Sequence, residues 1–263
     1  MLYDCFIFFN ELELLEIRLN ELNKIVDKFV IVEATKTFSG KDKELFFKKN
    51  QHLFKQFLNK IIYIVVDDFP NSSSPWDFET HQRNAISRGL KDCQPDDIIM
   101  ISDVDEIPNT ETIESVKNNL GIKKLIQNFY YYYLNVLVLT KKLFKKIPVP
   151  WLYGTRIVFY KEFTDAQSIR TTQEGKYIQN GGWHFSYLGD EKQIRTKIES
   201  FSHQEFNTKE ITDLENIEKA ITKNKDLFGR KGYKYETIRI DDTYPKYILD
   251  NLDKFKHLIK NND

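Results

Sequence analysis

The chain has only two cysteines, Cys5 and Cys93, among its 263 residues. Two thiols cannot build a disulfide framework, so the fold must rest on a packed core, as suits a reducing compartment. Charge of one sign is missing too: 39 Lys and Arg balance 39 Asp and Glu, and the pI is about 7.0. Without a net field there is no general attraction for nucleic acid or for an anionic membrane, and the charges that matter must be local. No apolar run reaches the ~18 residues of a membrane span, and the start lacks the basic and apolar regions of a signal peptide. A transmembrane segment is therefore not expected, and the expected location is cytoplasmic. The triplet Asn71-Ser72-Ser73 matches a glycosylation acceptor but reads in this setting as a polar loop. Internal repeats and low-complexity segments are absent. The phosphate-cradling patterns G-x-x-x-x-G-K-[ST] and G-x-G-x-x-G do not occur, which disfavours P-loop and dinucleotide-fold cofactor use. Neither a G-x-S-x-G elbow nor zinc-type Cys/His spacing occurs.

What is present is a globular composition, 41% hydrophobic and 30% charged, long enough for one large α/β domain or two small ones. The first half alternates strand and helix. Tyr3–Phe9 is a short apolar run, after which Asn10 can cap a helix with Glu13 three residues on. In that helix Leu12, Leu15, Leu19, Leu22 and Val26 make one buried stripe. The runs Lys28–Ala34, Ile61–Val66 and Ile98–Ser102 are rich in Val and Ile without alternation, as strands buried on both faces should be. Ser74, Pro75 and Asp77 open a helix before the last of them. Such alternation predicts an α/β fold with a mostly parallel central sheet flanked by helices. The second half predicts longer strands at Phe129–Leu139 and Thr155–Tyr160, and another at Gly181–Tyr187. A helical C-terminus follows, through Ile194–Phe201, Asp213–Ile221 and Leu252–Ile259, and the charged end from Lys256 to Asp263 reads as a frayed tail. Ile147-Pro148-Val149-Pro150 is the best candidate for a break between the halves.

Several of these strands end in acids: Glu33, then Asp67 and Asp68, then Asp103 and Asp105. Parallel strands share one carboxyl edge, where ligands bind, so these acids are expected to converge on one crevice. Two carboxylates about 4 Å apart repel by roughly 4 kcal/mol at an effective dielectric of 20, and a cation or cation-bridged phosphate offsets that. Ser102-Asp103-Val104-Asp105-Glu106-Ile107-Pro108 sharpens the point, because a D-x-D ending a buried strand can offer hard oxygen ligands to Mg²⁺ or Mn²⁺ on a nucleotide diphosphate. A D-x-D alone is a weak signal, since turn caps and solvated acids share the pattern. His184, within Gly181-Gly182-Trp183-His184-Phe185-Ser186-Tyr187, is either a metal ligand or a core histidine in an aromatic strand. Arg83 and Asn84, near His81 and Arg88, are candidate phosphate or ribose contacts. The four tyrosines Tyr130–Tyr133 are expected to alternate across their strand. Glu199, His203 and Glu205 fall at helical spacings and are candidates for acid-base work or plain surface charges.

These residues, together with others in the same order along the chain, resemble the family 17 glycosyltransferases. The likeness is carried by Asp4-Cys5-Phe6-Ile7-Phe8-Phe9-Asn10-Glu11, Leu14-Leu15-Glu16-Ile17-Arg18, Val30-Ile31-Val32-Glu33-Ala34, Thr37-Phe38-Ser39-Gly40 and His81-Gln82-Arg83-Asn84-Ala85. It continues in the Asp103–Pro108 segment, Gly154-Thr155-Arg156-Ile157, the Gly181–Tyr187 segment, Lys197–Glu205 and Asp226-Leu227-Phe228-Gly229-Arg230. The resemblance implies a GT-A type nucleotide-sugar-binding fold, a UDP-sugar donor (UDP-GlcNAc in animal members), a divalent metal and inversion at the anomeric carbon. It implies one glycosyltransferase domain over 1–263, with a nucleotide-sugar half at 1–120 and an acceptor half at 121–263. It marks Asp103 and Asp105 as the D-x-D pair and fits His184 as a distal metal ligand. On that footing Glu33, Asp67, Arg83, Asn84 and Asp103 are expected to bind the donor. Trp151, Trp183 and Tyr187 are expected to stack on a glycan acceptor. The catalytic base remains open among Glu106, Glu199 and Glu205. Animal members carry a membrane anchor and stem, whereas this chain starts at its first strand, so a Golgi location is not expected. Two rival readings stay open: a metal-dependent phosphohydrolase with Asp103 as nucleophile, and a catalytically silent sugar-binding protein.

Overall fold

The unalternating Val/Ile runs of the first half become neighbouring parallel strands, their side chains buried on both faces of one sheet. The computed structural model describes residues 1–142 and 145–261. In chain order the strands are β1 (Leu2–Phe8), β2 (Lys28–Ala34), β3 (Ile61–Val66), β4 (Ile98–Asp103), β5 (Glu106–Pro108), β6 (Lys123–Leu125) and β7 (Gln127–Tyr131). Then come β8 (Val136–Lys142), β9 (Lys145–Pro148), β10 (Pro150–Trp151), β11 (Arg156–Phe159), β12 (Lys176–Ile178), β13 (Gly182–Ser186) and β14 (Tyr233–Thr237). The helices are α1 (Leu12–Leu22), α2 (Phe46–Asn50), α3 (Pro75–Asn84), α4 (Thr110–Val116), α5 (Ala166–Thr171), α6 (Glu191–Ser200), α7 (Leu214–Thr222) and α8 (Lys246–Leu249).

The first sheet runs β12-β6-β11-β4-β1-β2-β3, and β11 alone lies antiparallel to its neighbours. This is the mostly parallel α/β architecture expected of a GT-A type fold. Ile7 stands opposite Asp103 and Phe8 opposite Glu33, so the strand ends share one edge. One face packs Phe6, Phe29, Ile31 and Met100 under Leu15, Leu19 and Leu22 of α1; the other packs Val30, Val32, Ile99 and Ile101 against Ile86 and Leu90. β3 departs from the expectation of burial on both faces. It is an edge strand, paired only with β2, and most of it is half-exposed.

Helix α1 carries the expected leucine stripe, but Leu14 and Ile17 are buried as well, against the second sheet's core. It is wedged between two cores rather than lying on one. Asn10 does not cap it: the helix begins after Glu11, whose Oε2 accepts from the backbone N–H groups of Phe9 at 3.3 Å and Asn10 at 3.1 Å.

The second sheet runs β14-β8-β7-β13-β5, with β10 on β7 and β9 on β8. The single strand expected at Phe129–Leu139 is two antiparallel strands. The chain turns back at Tyr132, whose φ is 66°, and Asn135 holds the turn by donating to the carbonyls of Ile238 and Lys260. Tyr130 and Tyr131 alternate to opposite faces as expected, Tyr132 turns to the side of Tyr131, and all three are buried because both faces are covered. The 147–150 stretch is likewise not a linker, since β9 and β10 pair there. The chain also crosses between sheets: β5 joins the second, while β6, β11 and β12 join the first. At the C-terminus, α8 and one 3-10 turn at Lys256–Leu258 replace the expected Leu252–Ile259 helix. That end is not frayed as far as it is described. Phe255 and Leu258 are buried, His257 Nε2 lies 2.6 Å from Glu13 Oε1, and Lys260 N donates to Asn135 Oδ1 at 2.8 Å. Residues 262–263 lie outside the described residues. Among the described residues no helix is long and apolar enough to cross a membrane.

Candidate active site

A cavity of about 780 Å³ opens at the carboxyl ends of β1 and β4 and extends across to β13 and α6. Asp103 closes β4, and the following turn carries the chain into the second sheet, where β5 pairs with β13 and sets Glu106 opposite His184. This crossing joins two distant motifs. The Asp105 carbonyl accepts from Phe185 N at 2.9 Å, and Asp105 Oδ1 stands 3.6 Å from His184 Nε2.

Arg18 of α1, wholly buried, clamps the turn from beneath. It donates to Asp4 at 2.6 and 2.8 Å, to Ser102 Oγ at 2.5 Å, and to the carbonyls of Asp103 and Glu106 at 3.1 and 2.8 Å. Glu106 belongs to the same support. Its Oε2 accepts from Asp103 N at 3.0 Å, and its Oε1 from Trp151 Nε1 at 2.6 Å and Arg170 Nη2 at 2.5 Å. Fully buried and already holding three donors, Glu106, one of the three acids left open as base, serves as a structural carboxylate.

The two aspartates are neutralised differently. Asp103 Oδ1 accepts from Arg83 Nη2 at 2.9 Å and Oδ2 from Arg170 Nη2 at 3.3 Å. Asp105 Oδ2 accepts from Lys197 Nζ at 2.8 Å. Burial alone would raise both carboxyl pKa values, but Arg83 and Arg170 at Asp103, and Lys197 and His184 at Asp105, outweigh it and hold both below the usual range.

Among the described residues no group of three or more His, Cys, Asp or Glu side chains is arranged to hold a metal by itself. Asp105 and His184 fit as a pair of ligands. His184 Nε2 faces Asp105 Oδ1 across 3.6 Å, longer than a hydrogen bond, while the other ring nitrogen, Nδ1, is buried with no partner. Phe129, stacked on the ring at 5.1 Å, and Trp151, 4.2 Å away, hold it in place. One carboxylate and one imidazole suffice for Mg²⁺ or Mn²⁺ when phosphate oxygens and water complete the shell. Asp103 carries a guanidinium on each oxygen, whereas Asp105 Oδ1 holds no donor, so Asp105 is the freer of the two carboxylates.

Other expected site residues are scattered. Glu33 lies under α2, where its oxygens accept from Lys43 Nζ at 3.2 Å, Tyr63 Oη at 2.7 Å and the N–H groups of Phe46 and Phe47 at 2.5 and 3.1 Å. Strand alternation turns it away from the edge it was expected to line. Asp67 is exposed at the end of the edge strand β3, and Asp68 beside it pairs with Arg88 at 2.9 Å, also outside the cavity. Asn84 Oδ1 accepts from Gln167 N at 2.9 Å and ties α3 to α5. Trp183 points opposite to His184, as alternation requires, into the core with Nε1 donating to Thr243 O at 3.1 Å. Glu199 pairs with Arg195 on the outer side of α6, and the exposed Glu205 pairs with His203 on a separate turn, so the two do not share a helix. Arg83, Asp103, Asp105, Trp151, His184 and Tyr187 do line the cavity.

The residues not anticipated as site groups are Glu11, Trp76, Glu79, Arg170, Lys197 and Arg230, all in the lining. Glu79 Oε1 accepts from Arg83 Nη1 at 2.8 Å, and its Oε2 accepts from Ser202 Oγ. The i,i+4 pair Glu79–Arg83 was a readable signal, although such pairs usually face solvent. Lys197 and Arg230 fall inside segments that carry the family resemblance, with nothing local to mark their role.

The model of Glycosyltransferase family 17 matches residues 1–262. Curated relatives include the β-1,4-mannosyl-glycoprotein 4-β-N-acetylglucosaminyltransferases of Rattus norvegicus, 23% identical over 293 residues, and of Homo sapiens, 24% identical over 286. These alignments cover 96% of this chain but 53% and 54% of the relatives, so the chain spans about half the length of the curated relatives it matches. Among solved structures, a 4-diphosphocytidyl-2C-methyl-D-erythritol synthase is similar with a TM-score of 0.38 and 14% identity, over 68% of this chain and 88% of that one. The synthase from Anaerococcus prevotii gives 0.38 and 13%, over 79% and 99%. With the family match running through every element that lines the cavity, the chain belongs to glycosyltransferase family 17.

Proposed function

We propose that this protein is a metal-dependent inverting glycosyltransferase that moves GlcNAc from UDP-GlcNAc to a hydroxyl of a glycan, forming a β linkage. The observation that carries the reading is the meeting of Asp105 with His184 Nε2 across 3.6 Å beside Asp103, in a cavity at the carboxyl edge of the parallel sheet. Asp105 and His184 would hold Mn²⁺ or Mg²⁺, which supplies positive charge to a departing diphosphate. Arg83 and Arg170 orient the Asp103 carboxylate, whose remaining acceptor capacity suits donor hydroxyls.

Inversion in one displacement needs a base for the acceptor hydroxyl. Glu79 answers that need, since one oxygen is held by Arg83 and the other already receives a hydroxyl proton donor, Ser202. One turn earlier on α3, Trp76 presents a half-exposed ring against His203, 4.6 Å away, which suits stacking on an acceptor sugar. Trp151 and Tyr187 remain candidates for the same work. The phosphohydrolase reading loses support because both oxygens of its nucleophile, Asp103, are engaged by guanidinium groups.

The test is UDP release from UDP-GlcNAc with a panel of mannose-bearing glycans, with Mn²⁺ and with chelator. Metal-dependent release is expected, abolished in Asp105→Ala. In Glu79→Gln, kcat should fall about 10²- to 10⁴-fold while UDP affinity holds. Full activity in Asp105→Ala, or turnover of phosphate monoesters in place of UDP-GlcNAc, overturns the reading.

A further inference from the structure

Among the described residues, the cation that stands on Asp105 is Lys197, and nothing in the reading above uses it. Its ammonium also lies 3.4 Å from Glu11 Oε1 at the start of α1, and it lines the cavity between these two acids and the ring of Tyr187. We propose that Lys197 is a phosphate ligand for a nucleoside diphosphate, resting on Asp105 and Glu11 in the ligand-free protein and turning to the diphosphate when it binds. This rests on the nucleotide-sugar reading and adds to it the side chain that recognises the diphosphate.

Four observations support the assignment. Lys197 is not locked. Arg170 is tied to the Tyr153 carbonyl, the Gly154 carbonyl, Asp103 and Glu106, whereas the Lys197 ammonium makes one hydrogen bond, to Asp105 Oδ2, and keeps further donors. Its base is fixed. A capping box between Asp190 and Gln193 and the buried Ile194 and Ile198 anchor α6, so only the flexible stem has to move. It is a cation set between two acids, 2.8 Å from Asp105 Oδ2 and 3.4 Å from Glu11 Oε1. Finally, a divalent cation between Asp105 and His184 would share that carboxylate with the ammonium, and like charges repel. A ligand bearing two linked phosphates relieves the repulsion by contacting both. Tyr187, turned into the cavity by a backbone φ of 51°, offers its ring face 5.7 Å from the ammonium along that path.

The experiment is calorimetric titration of UDP and of uridine, each with Mn²⁺, into wild type, Lys197→Gln and Lys197→Arg. In Lys197→Gln the UDP affinity should fall about 10- to 100-fold, with uridine affinity within about twofold of wild type. Lys197→Arg should recover most of the UDP affinity. Unchanged UDP affinity in Lys197→Gln overturns the inference, as does an equal loss for UDP and uridine, which marks a merely structural role. Wild type that binds neither compound overturns the nucleotide-sugar reading itself. Should Lys197→Gln not fold, the wild-type Lys197 ¹³Cε resonance, identified by its loss in Lys197→Arg, decides the matter. It should shift with UDP and not with uridine, and no shift with UDP overturns the inference.

Discussion

The buried faces of the first sheet are aliphatic on one side, with Val30, Val32, Ile99 and Ile101, and mix Phe6 and Phe29 with Ile31 and Met100 on the other. Those of the second are aromatic, built on Phe129, Tyr131, Tyr132 and Tyr235 around one side and Tyr130, Trp183, Phe185 and Tyr244 around the other. Aliphatic and phenyl side chains ask only for volume and shape. A buried tyrosine brings a hydroxyl that needs a partner. Tyr132 Oη donates to the Lys225 carbonyl at 2.9 Å, Tyr235 Oη to Asp226, and Arg230 Nη2 to Tyr131 Oη at 3.1 Å. Those partners all lie on the 223–232 loop, which brings Phe228 and Arg230 to the cavity wall. The first sheet is thus a generic scaffold that delivers carboxylates to its edge. The second specifies a particular loop and a particular histidine. Burial also pushes the Tyr130 hydroxyl up to about 12 and Tyr131 well above its usual value.

The sharpest way to break this division is at the seam. Arg18→Met leaves Asp4 buried without its cation and frees the D-x-D turn, and should cost about 3–5 kcal/mol in urea unfolding. A loss under 1 kcal/mol would mean that the turn does not depend on the first sheet. Next comes the β13 edge, where Gly182 has φ 120° and an added Cβ would lie 2.2 Å from the Ile107 carbonyl. Gly182→Ala should destabilise by about 1–3 kcal/mol. It should also displace His184, read as a change in its imidazole resonances.

Asp226 tests the polar side of the aromatic core. Burial would raise its pKa, but Arg230 and Tyr235 outweigh that and lower it. A depressed carboxyl contributes stability that is fully present above its unfolded value, near pH 4, and is lost as pH falls through the folded value. Asp226→Asn should therefore cost about 1–3 kcal/mol at pH 7 and narrow its difference from wild type as pH falls below 4. The same cost at every pH would refute the charged pair. The smallest effect is expected at Asp213, which caps α7 by accepting from Asn216 N at 3.0 Å. Asp213→Ala should lower stability by about 1 kcal/mol, measured by thermal unfolding, with UDP affinity unchanged.

The legible parts share a physical reason. The bounds of β2 and β3 are legible because unalternating Val and Ile runs have few other uses, and Asp213 caps its helix while Pro75 opens α3, although Ser74 before it forms no side-chain cap. Legibility failed where the deciding contact is remote. Tyr132 reverses the chain because Asn135, 103 residues before Ile238 and 125 before Lys260, pins the turn. Glu33 and Glu106 look like site acids until the donors around them are seen. Lys197 has no local mark, since its partner Asp105 is 92 residues away.

The linear chain by itself determined an aliphatic parallel sheet, a D-x-D at the end of its central strand and a histidine in an aromatic strand, because periodicity, branching and capping act over a few residues. Only the tertiary structure decided that β5 would cross to β13 and bring Asp105 to His184. It likewise decided that Arg83 and Arg170 would take Asp103, and that Glu79 rather than Glu106 would face the cavity. Those outcomes depend on which charges are buried together, and burial is settled only when distant elements pack.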